Sequence, residues 1–274
     1  MPNQAFLCSS DTIQGTMKQQ YYAPHPLLRP YIAHYTIVLP FYTNLAMPLT
    51  LIPDVSGCII CGITPKAIHT TLWGPTTQTV VVNHGVGFNP CNLFIEFLPG
   101  GARRLTGFAQ EEFVNRIVPL TDYLPALHDA LCEAIYASWD TDDLIKRLDL
   151  LFLRLLFSDE KKGSDSIVLP ILRQDGSTLS VKDLATATCY SERHLNRLFY
   201  NEIGVSAKNC LRLVRLNRAI KLMQNPALTL TECAYLAGYY DQSHFIREFR
   251  EVCGVSPSTY RSNKSVFYNE QRKF

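Results

Sequence analysis

From residue 180 to residue 261 apolar side chains recur every three or four positions, and one pattern is written twice. Ser191-Glu-Arg-His-Leu-Asn-Arg-Leu-Phe199 returns 50 residues later as Asp241-Gln-Ser-His-Phe-Ile-Arg-Glu-Phe249. At that offset His194 matches His244, Arg197 matches Arg247, and Gly204-Val-Ser206 matches Gly254-Val-Ser256. In the first copy Leu195, Leu198 and Phe199 sit at i, i+3, i+4, so they share a face and point into a core. At about 100° per residue, Arg193, Asn196 and Arg197 fall on the opposite face. In the second copy Phe245, Phe249 and Val252 point inward, and Ser243, Arg247 and Arg250 outward. Gly204 and Gly254 end these helices, because glycine takes the left-handed stop conformation without penalty. Before each copy comes a short helix and a tight turn, over 179–185 up to Cys189 and over 228–234 up to Gly238. Ser180 and Thr229 are the expected N-caps. The pattern predicts two helix-turn-helix units.

Between the copies lies a third apolar period, over 206–224, with Ser206 as its cap and Leu216, Ala219, Ile220 and Met223 as its stripe. A helix of that length spans roughly 28 Å, and one turn of B-DNA is about 34 Å. A rod of this size holds two reading helices in successive major grooves. Arg212, Arg215 and Arg218 on it read as solvated, with phosphate contact as the alternative.

The first half of the chain has a different rhythm. Residues 1–20 are polar and read as loose. Short apolar runs at 31–39, 50–52, 57–63, 79–82 and 93–98 are broken by Pro, Gly and Asn, as in a compact sheet or barrel. Pro53-Asp54 and Asn89-Pro90 mark turns. From 124 to 157 the period becomes helical, and Leu144, Leu148, Leu151 and Leu155 recur at 4-3-4 spacing, a short heptad stripe. It fits a helix packed on its own sheet domain as well as a dimer helix. Residues 159–166 are charged and small and read as a linker.

Composition narrows the class. Apolar residues make up 47% of the 274, ample for real cores. No run of about 18 uncharged apolar residues exists, so no membrane span is expected. The first residues lack a basic start followed by an apolar block, so secretion is not expected. Nine cysteines, an odd and scattered set, read as reduced thiols of a cytoplasm rather than a disulfide framework. The overall charge of +2 hides an asymmetry: residues 1–160 carry −5 and residues 161–274 carry +7. The basic half is the half with the helix-turn-helix pattern, as phosphate binding requires.

The run Gly238-Tyr-Tyr-Asp-Gln-Ser-His-Phe-Ile-Arg-Glu-Phe-Arg-Glu-Val-Cys-Gly-Val-Ser-Pro-Ser-Thr-Tyr-Arg261 carries a resemblance. With it, residues 180–261 resemble the DNA-binding module of the AraC/XylS family of bacterial transcription regulators. One departure is Cys189, where such a turn usually has Gly, so Cys189 must tolerate positive φ or a different turn. The stretch Phe97-Leu-Pro-Gly-Gly-Ala-Arg-Arg-Leu-Thr-Gly-Phe108, extended to Asp122, is similar, more loosely, to the cupin-like sensory half of some family members. The resemblance implies an α+β chain: a β-rich cupin-like sensory domain over 1–122 and a helical bridge with possible dimer helices over 123–158. A linker over 159–170 then leads to an all-α module of two helix-turn-helix units joined by a long helix over 171–274. It implies double-stranded DNA as partner, with RNA polymerase, a small-molecule effector and a homodimer as further expected partners, and no membrane.

By position in the motif, Arg193, Asn196 and Arg197 are the readers of a first DNA box, and Gln242, Ser243 and Arg247 of a second. Arg pairs bidentately with guanine, and Asn or Gln with adenine; for each Arg a phosphate contact or an ion pair is the alternative. His194 and His244, beside the core face, read as packing or capping residues. Cys58-Ile-Ile-Cys61 has metal-like spacing, yet three-apart residues of a strand face opposite sides, and the paired-histidine pattern of metal-binding cupins is not met by His84 and Glu96. Neither a metal nor a cofactor is called for. Cys8, Cys58, Cys61 and Cys91 leave an alternative open, a cysteine-based alkylation, redox or metal sensor on the same DNA-binding half. A cupin-type enzyme is a third reading, although no phosphate-cradling loop, nucleophile elbow or carboxylate pair is present. Trp73, Phe88 and Phe94 could line a ligand pocket, and core packing explains them equally.

Overall fold

A computed structural model describes residues 18–39, 49–82, 91–158, 180–262 and 267–268, together with Val168 and Leu172. Most of the expected linker, the Asn89-Pro90 turn, Cys8, His84 and Phe88 lie outside the described residues.

The strands are β1 (Lys18–Tyr22), β2 (Ile32–Leu39), β3 (Leu49–Leu51), β4 (Cys58–Ile63), β5 (Ile68–Trp73), β6 (Val80–Val82), β7 (Cys91–Phe97), β8 (Ile117–Pro119) and β9 (Phe267–Tyr268). Six of them form one antiparallel sheet in the order β1-β2-β7-β4-β5-β8. The apolar runs β4 and β7 take central places, and most of their residues are buried. In β5, His69 is exposed between buried Ile68 and Thr70, the period-two signature of a half-covered strand. Lys18–Gln20, expected to be loose, belong instead to an edge strand paired from Lys18↔Leu39 to Tyr22↔Tyr35. An edge strand needs no apolar run, because its backbone bonds supply the pairing and its surface meets water. A second, three-stranded sheet has the order β6-β3-β9, with Phe267 and Tyr268 parallel to Thr50 and Leu51. The last strand of the chain thus returns to the first half.

Helices α1 (Gly101–Thr106), α2 (Leu120–Tyr123), α3 (Pro125–Tyr136) and α4 (Thr141–Phe157) follow β7, and the core they share with the sheet includes Ile59, Cys61, Ile63, Leu93, Ile95 and Phe97. Along α4 the fully inward row is Leu144, Leu148, Phe152 and Leu156, at most 7% exposed, while Leu151 and Leu155 flank the same core half-buried. The heptad stripe is therefore part of a wider apolar arc that packs on the sheet of its own chain. Tyr35 ties the two layers together: its ring stacks on Phe152 at 6.5 Å and its hydroxyl donates to Asp149 Oδ1 at 2.9 Å. Burial, with the Asp149 carboxylate, pushes that hydroxyl well above its usual pKa.

The C-terminal half is helical: α5 (Val181–Thr188), α6 (Glu192–Ile203), α7 (Ala207–Leu222), α8 (Leu230–Leu236), α9 (Gln242–Cys253) and α10 (Pro257–Ser262). Its core gathers Leu195, Phe199, Leu216, Ile220, Phe245 and Phe249, all fully buried. The two halves meet. Ile52 and Val55, from the turn before β4, belong to this second core. Asn217 of α7, 4% exposed, donates through Nδ2 to Pro53 O and to Leu213 O, each at 3.0 Å. At the end of α6, a Cβ on Gly204 would stand 2.6 Å from Gln110 O, and its φ is +87°, so glycine serves both the helix stop and the close approach.

Candidate nucleic-acid interface

Each helix-turn-helix unit is set by local chemistry. Ser180 Oγ accepts from Asp183 N while Asp183 accepts from Ser180 N, and Thr229 and Glu232 repeat this reciprocal cap. The Ser180 hydroxyl and amide donate to Asp183, and the Thr229 amide and hydroxyl to Glu232, and these donated bonds hold both carboxyls below their usual pKa. The first turn passes through Cys189 at φ 56° and ψ 24°, the left-handed conformation, which decides between the positive φ and the different turn that the sequence left open. The second turn passes through Ala237 in a right-handed conformation and then Gly238 at φ 91°, which accommodates its extra residue. The second helices of the two units then start alike. Ser191 Oγ accepts from His194 N, and Asp241 Oδ1 from His244 N. Both stop on left-handed glycines, Gly204 and Gly254. The linking helix α7 has 16 residues, or about 24 Å, a little shorter than the sequence period suggests.

On α6, Arg193 and Arg197 are exposed and Asn196 is half-buried. Arg197 lies with one guanidinium nitrogen 3.1 Å from His194 Nδ1. It also lines a cavity of about 560 Å³ with Glu111, Leu198, Tyr200 and Asn201, where the sheet half approaches α6. The Asn196 amide is engaged at both ends: Oδ1 accepts from Ala207 N and Nδ2 donates to Glu192 O, each at 3.1 Å. It thereby anchors the start of α7. On α9, Ser243 and Arg247 are exposed. Gln242 is half-buried, and its Oε1 accepts from Thr231 Oγ1 at 3.1 Å, a bond that orients the amide. The two histidine rings pack on tyrosines, His194 on Tyr190 at 4.6 Å and His244 edge-on to Tyr239 at 5.5 Å.

The arginines of α7 differ from the sequence expectation of a solvated row. Arg212 is only 23% exposed at its side chain and pairs with Glu251 Oε2 at 2.8 Å and Glu248 Oε2 at 3.5 Å. Arg215 lies over the Tyr239 ring, 5.2 Å from its centroid. Tyr239 Oη donates to Glu248 Oε1 at 2.7 Å, and burial with the nearby carboxylate pushes that hydroxyl up. Glu248, 8% exposed, is the residue that periodicity overlooked. The available signal was a carboxylate three residues after Phe245, on an otherwise apolar arc.

In the sheet half, one face of the sheet is distinct from the core. The register aligns His34, Glu96, Cys58 and Trp73 in one row, and Thr36, Phe94, Ile60 and Thr71 in the next. His34, Thr36 and Glu96 are buried polar groups there, and Thr36 Oγ1 lies 2.8 Å from His34 Nδ1. Cys61 faces the opposite way, in the core with Cys91. Burial, with Cys132 and Cys91 adding to it, raises the Cys61 thiol well above its usual pKa, the reverse of what a reactive thiolate requires.

Comparison with known proteins agrees with this geometry. A family described as "Helix-turn-helix domain" matches residues 184–263. The Msm operon regulatory protein of Streptococcus mutans serotype c is 30% identical over 118 residues, 43% of this chain and 42% of that protein. The HTH-type transcriptional activator RhaR of Pectobacterium carotovorum subsp. carotovorum is 36% identical over 72 residues, 26% of this chain and 25% of the relative. The chain thus spans less than half the length of these curated relatives. Among solved structures, ToxT from Vibrio cholerae aligns over 90% of this chain and 98% of its own, at 12% identity and a TM-score of 0.41. By the residues matched and the capped, twofold helix-turn-helix geometry they adopt, residues 184–263 of this chain form a helix-turn-helix domain of the matched family.

Proposed function

We propose that the chain is a cytoplasmic, sequence-specific DNA-binding transcription regulator, in which residues 171–274 read duplex DNA and residues 1–122 sense a small effector. The observation that carries this reading is the matched pair α6 and α9, capped alike, each presenting exposed arginine, and joined by one continuous helix. A helix fits the major groove, about 12 Å wide. In this reading Arg193, Arg197 and Arg247 pair with guanine edges, Gln242 with adenine, and Ser243 with either. Asn196 would have to exchange its bonds to Ala207 and Glu192 before it met a base, so its part is to place α7. The effector is assigned to the sheet face of His34, Thr36, Phe94, Glu96 and Trp73, which combines a few convergent polar groups with aromatic walls. RNA polymerase and a second copy of the chain complete the proposed partners, and Leu150 and Phe157, exposed on α4, are apolar side chains open to such a copy.

The test starts from duplexes selected out of a random library by the full chain. Anisotropy titrations should give an affinity that falls steeply with salt, through counterion release. Two boxes about 10 base pairs apart should emerge. An insertion of about 5 base pairs between them turns the second groove to the far side and should return binding to its non-specific level. A flat salt response, or a selection that yields no shared sequence, would refute the reading.

A further inference from the structure

Two helices, α7 and α9, and the turn that precedes α9 converge on one carboxylate. Glu248 of α9 takes a hydrogen bond from Tyr239, in the turn of the second unit, on one oxygen. Its other oxygen faces Arg212 Nε at 3.5 Å, from the linking helix, and His244 Nε2 at 3.6 Å. Arg212 reaches past it to Glu251, and Arg215 caps the Tyr239 ring from the same helix. A buried ion pair adds little net stability over a well-packed apolar contact, because both charges must leave water. It does restrict geometry. Apolar side chains slide and repack at small penalty, whereas a carboxylate held at both oxygens admits one arrangement. The arrangement held here is the crossing of α9 on α7.

That crossing matters for any protein that reads two grooves with one rigid body. The length of α7 sets how far apart the reading helices stand, and the crossing sets where the second one points. The charge of Arg212 is turned to α9 and neutralised there. We infer that Arg212 and Glu248 are positioning residues, whose clasp between α7 and α9 sets the spacing and phase of the two DNA boxes one chain can read. The inference rests on the two-box reading above and goes beyond it, since it assigns the spacing preference to a polar joint rather than to helix length alone.

The experiment uses the full chain with Glu248→Gln, which keeps the shape, and Arg212→Met, which keeps much of the length. Duplexes carry both selected boxes, either box alone, or both with one to three base pairs inserted. Both variants should hold single-box affinity within about twofold. Loosening a link between two sites sacrifices the advantage of linkage, so two-box affinity should fall about tenfold and the optimum at one spacing should flatten. The salt slope of Arg212→Met should match the wild type, whereas loss of a phosphate contact would reduce it by about 0.9. Equal losses on one-box and two-box duplexes, a reduced salt slope, or an unchanged spacing optimum would each overturn the clasp. If Glu248→Gln melts below the assay temperature, Arg212→Met with Tyr239→Phe decides by the same readouts. A wild-type chain that binds two boxes no better than one would bring down the two-box reading itself, and it is told apart because the failure is seen before any substitution.

Discussion

The seam between the halves gives the sharpest energetic test. Asn217 is 4% exposed and its Nδ2 donates to Leu213 O, one turn back, and to Pro53 O, across the seam. Replacing Asn217 with Ala leaves the Pro53 carbonyl buried without that donor. An orphaned buried acceptor costs about 1–3 kcal/mol, and the better helix propensity of Ala returns about 0.5 kcal/mol. A net loss of about 1–2 kcal/mol is expected in the full chain. In the fragment 163–274 Pro53 is absent, so the same substitution should be neutral or slightly stabilising. The fragment also loses Ile52 and Val55, 7% and 1% exposed, from its core. At about 1.5–3 kcal/mol for each of the two buried side chains, it should be less stable than the module in the full chain by about 3–6 kcal/mol. Domains typically hold about 5–15 kcal/mol, so the fragment should still fold and bind DNA. Native-state hydrogen exchange of the α7 amides, in both proteins with and without Asn217→Ala, measures this locally and avoids assuming one cooperative unit. If the substitution weakens α7 in the fragment as much as in the full chain, the Pro53 bond is not what Asn217 contributes.

Arg193→Ala should relax base preference in one box and Arg247→Ala in the other, each by about 1–3 kcal/mol, read by selection and anisotropy; a uniform loss across all sequences would mark phosphate contacts instead. Leu148→Glu buries a charge in the sheet core, a penalty of several kcal/mol, and should unfold the sheet half by circular dichroism. Leu150→Glu, at a 56% exposed site, should leave the fold intact and lower the mass in light scattering if copies pair through α4. The caps give a pH signature. Asp183 and Glu232 are lowered from 3.8 and 4.5 by Ser180 and Thr229 respectively. A lowered carboxyl stabilises fully above its unfolded value and progressively less as pH falls through its folded value. Thermal midpoints should therefore drop below about pH 4.5, and Asp183→Asn with Glu232→Gln should flatten that drop. Cys189→Gly relieves about 1–2 kcal/mol of left-handed strain against about 0.4–1 kcal/mol of added chain entropy. A small rise in melting temperature should result, and a fall would mean that the Cys189 side chain packs usefully.

Much of the helical half was legible because its determinants are local. N-caps at Ser180, Ser206 and Thr229, stops at Gly204 and Gly254, and the inward rows of α6 and α9 all arise from bonds and periods that act within about four residues. The strands β4 and β7 announced themselves as apolar runs for the same reason. Edge strand β1 did not, because backbone pairing with β2 is its chief determinant and leaves little mark on side-chain chemistry.

By itself, then, the sequence determined the helices of the two repeated units and the one between them, where they cap, which of their faces are apolar, and that the basic half carries two matched helix-turn-helix units. Only the tertiary structure decided what covers each face. It turned Leu144 and Leu148 into the core of their own sheet domain, made Ile52 and Val55 part of the helical half's core, spent the Asn196 amide on α7, and gave the charge of Arg212 to Glu248 and Glu251. The physical reason is range. A period reports that a face avoids water but not which surface shields it, and a bond such as Asn217 to Pro53, between residues 164 apart, exists only once two folded surfaces have met.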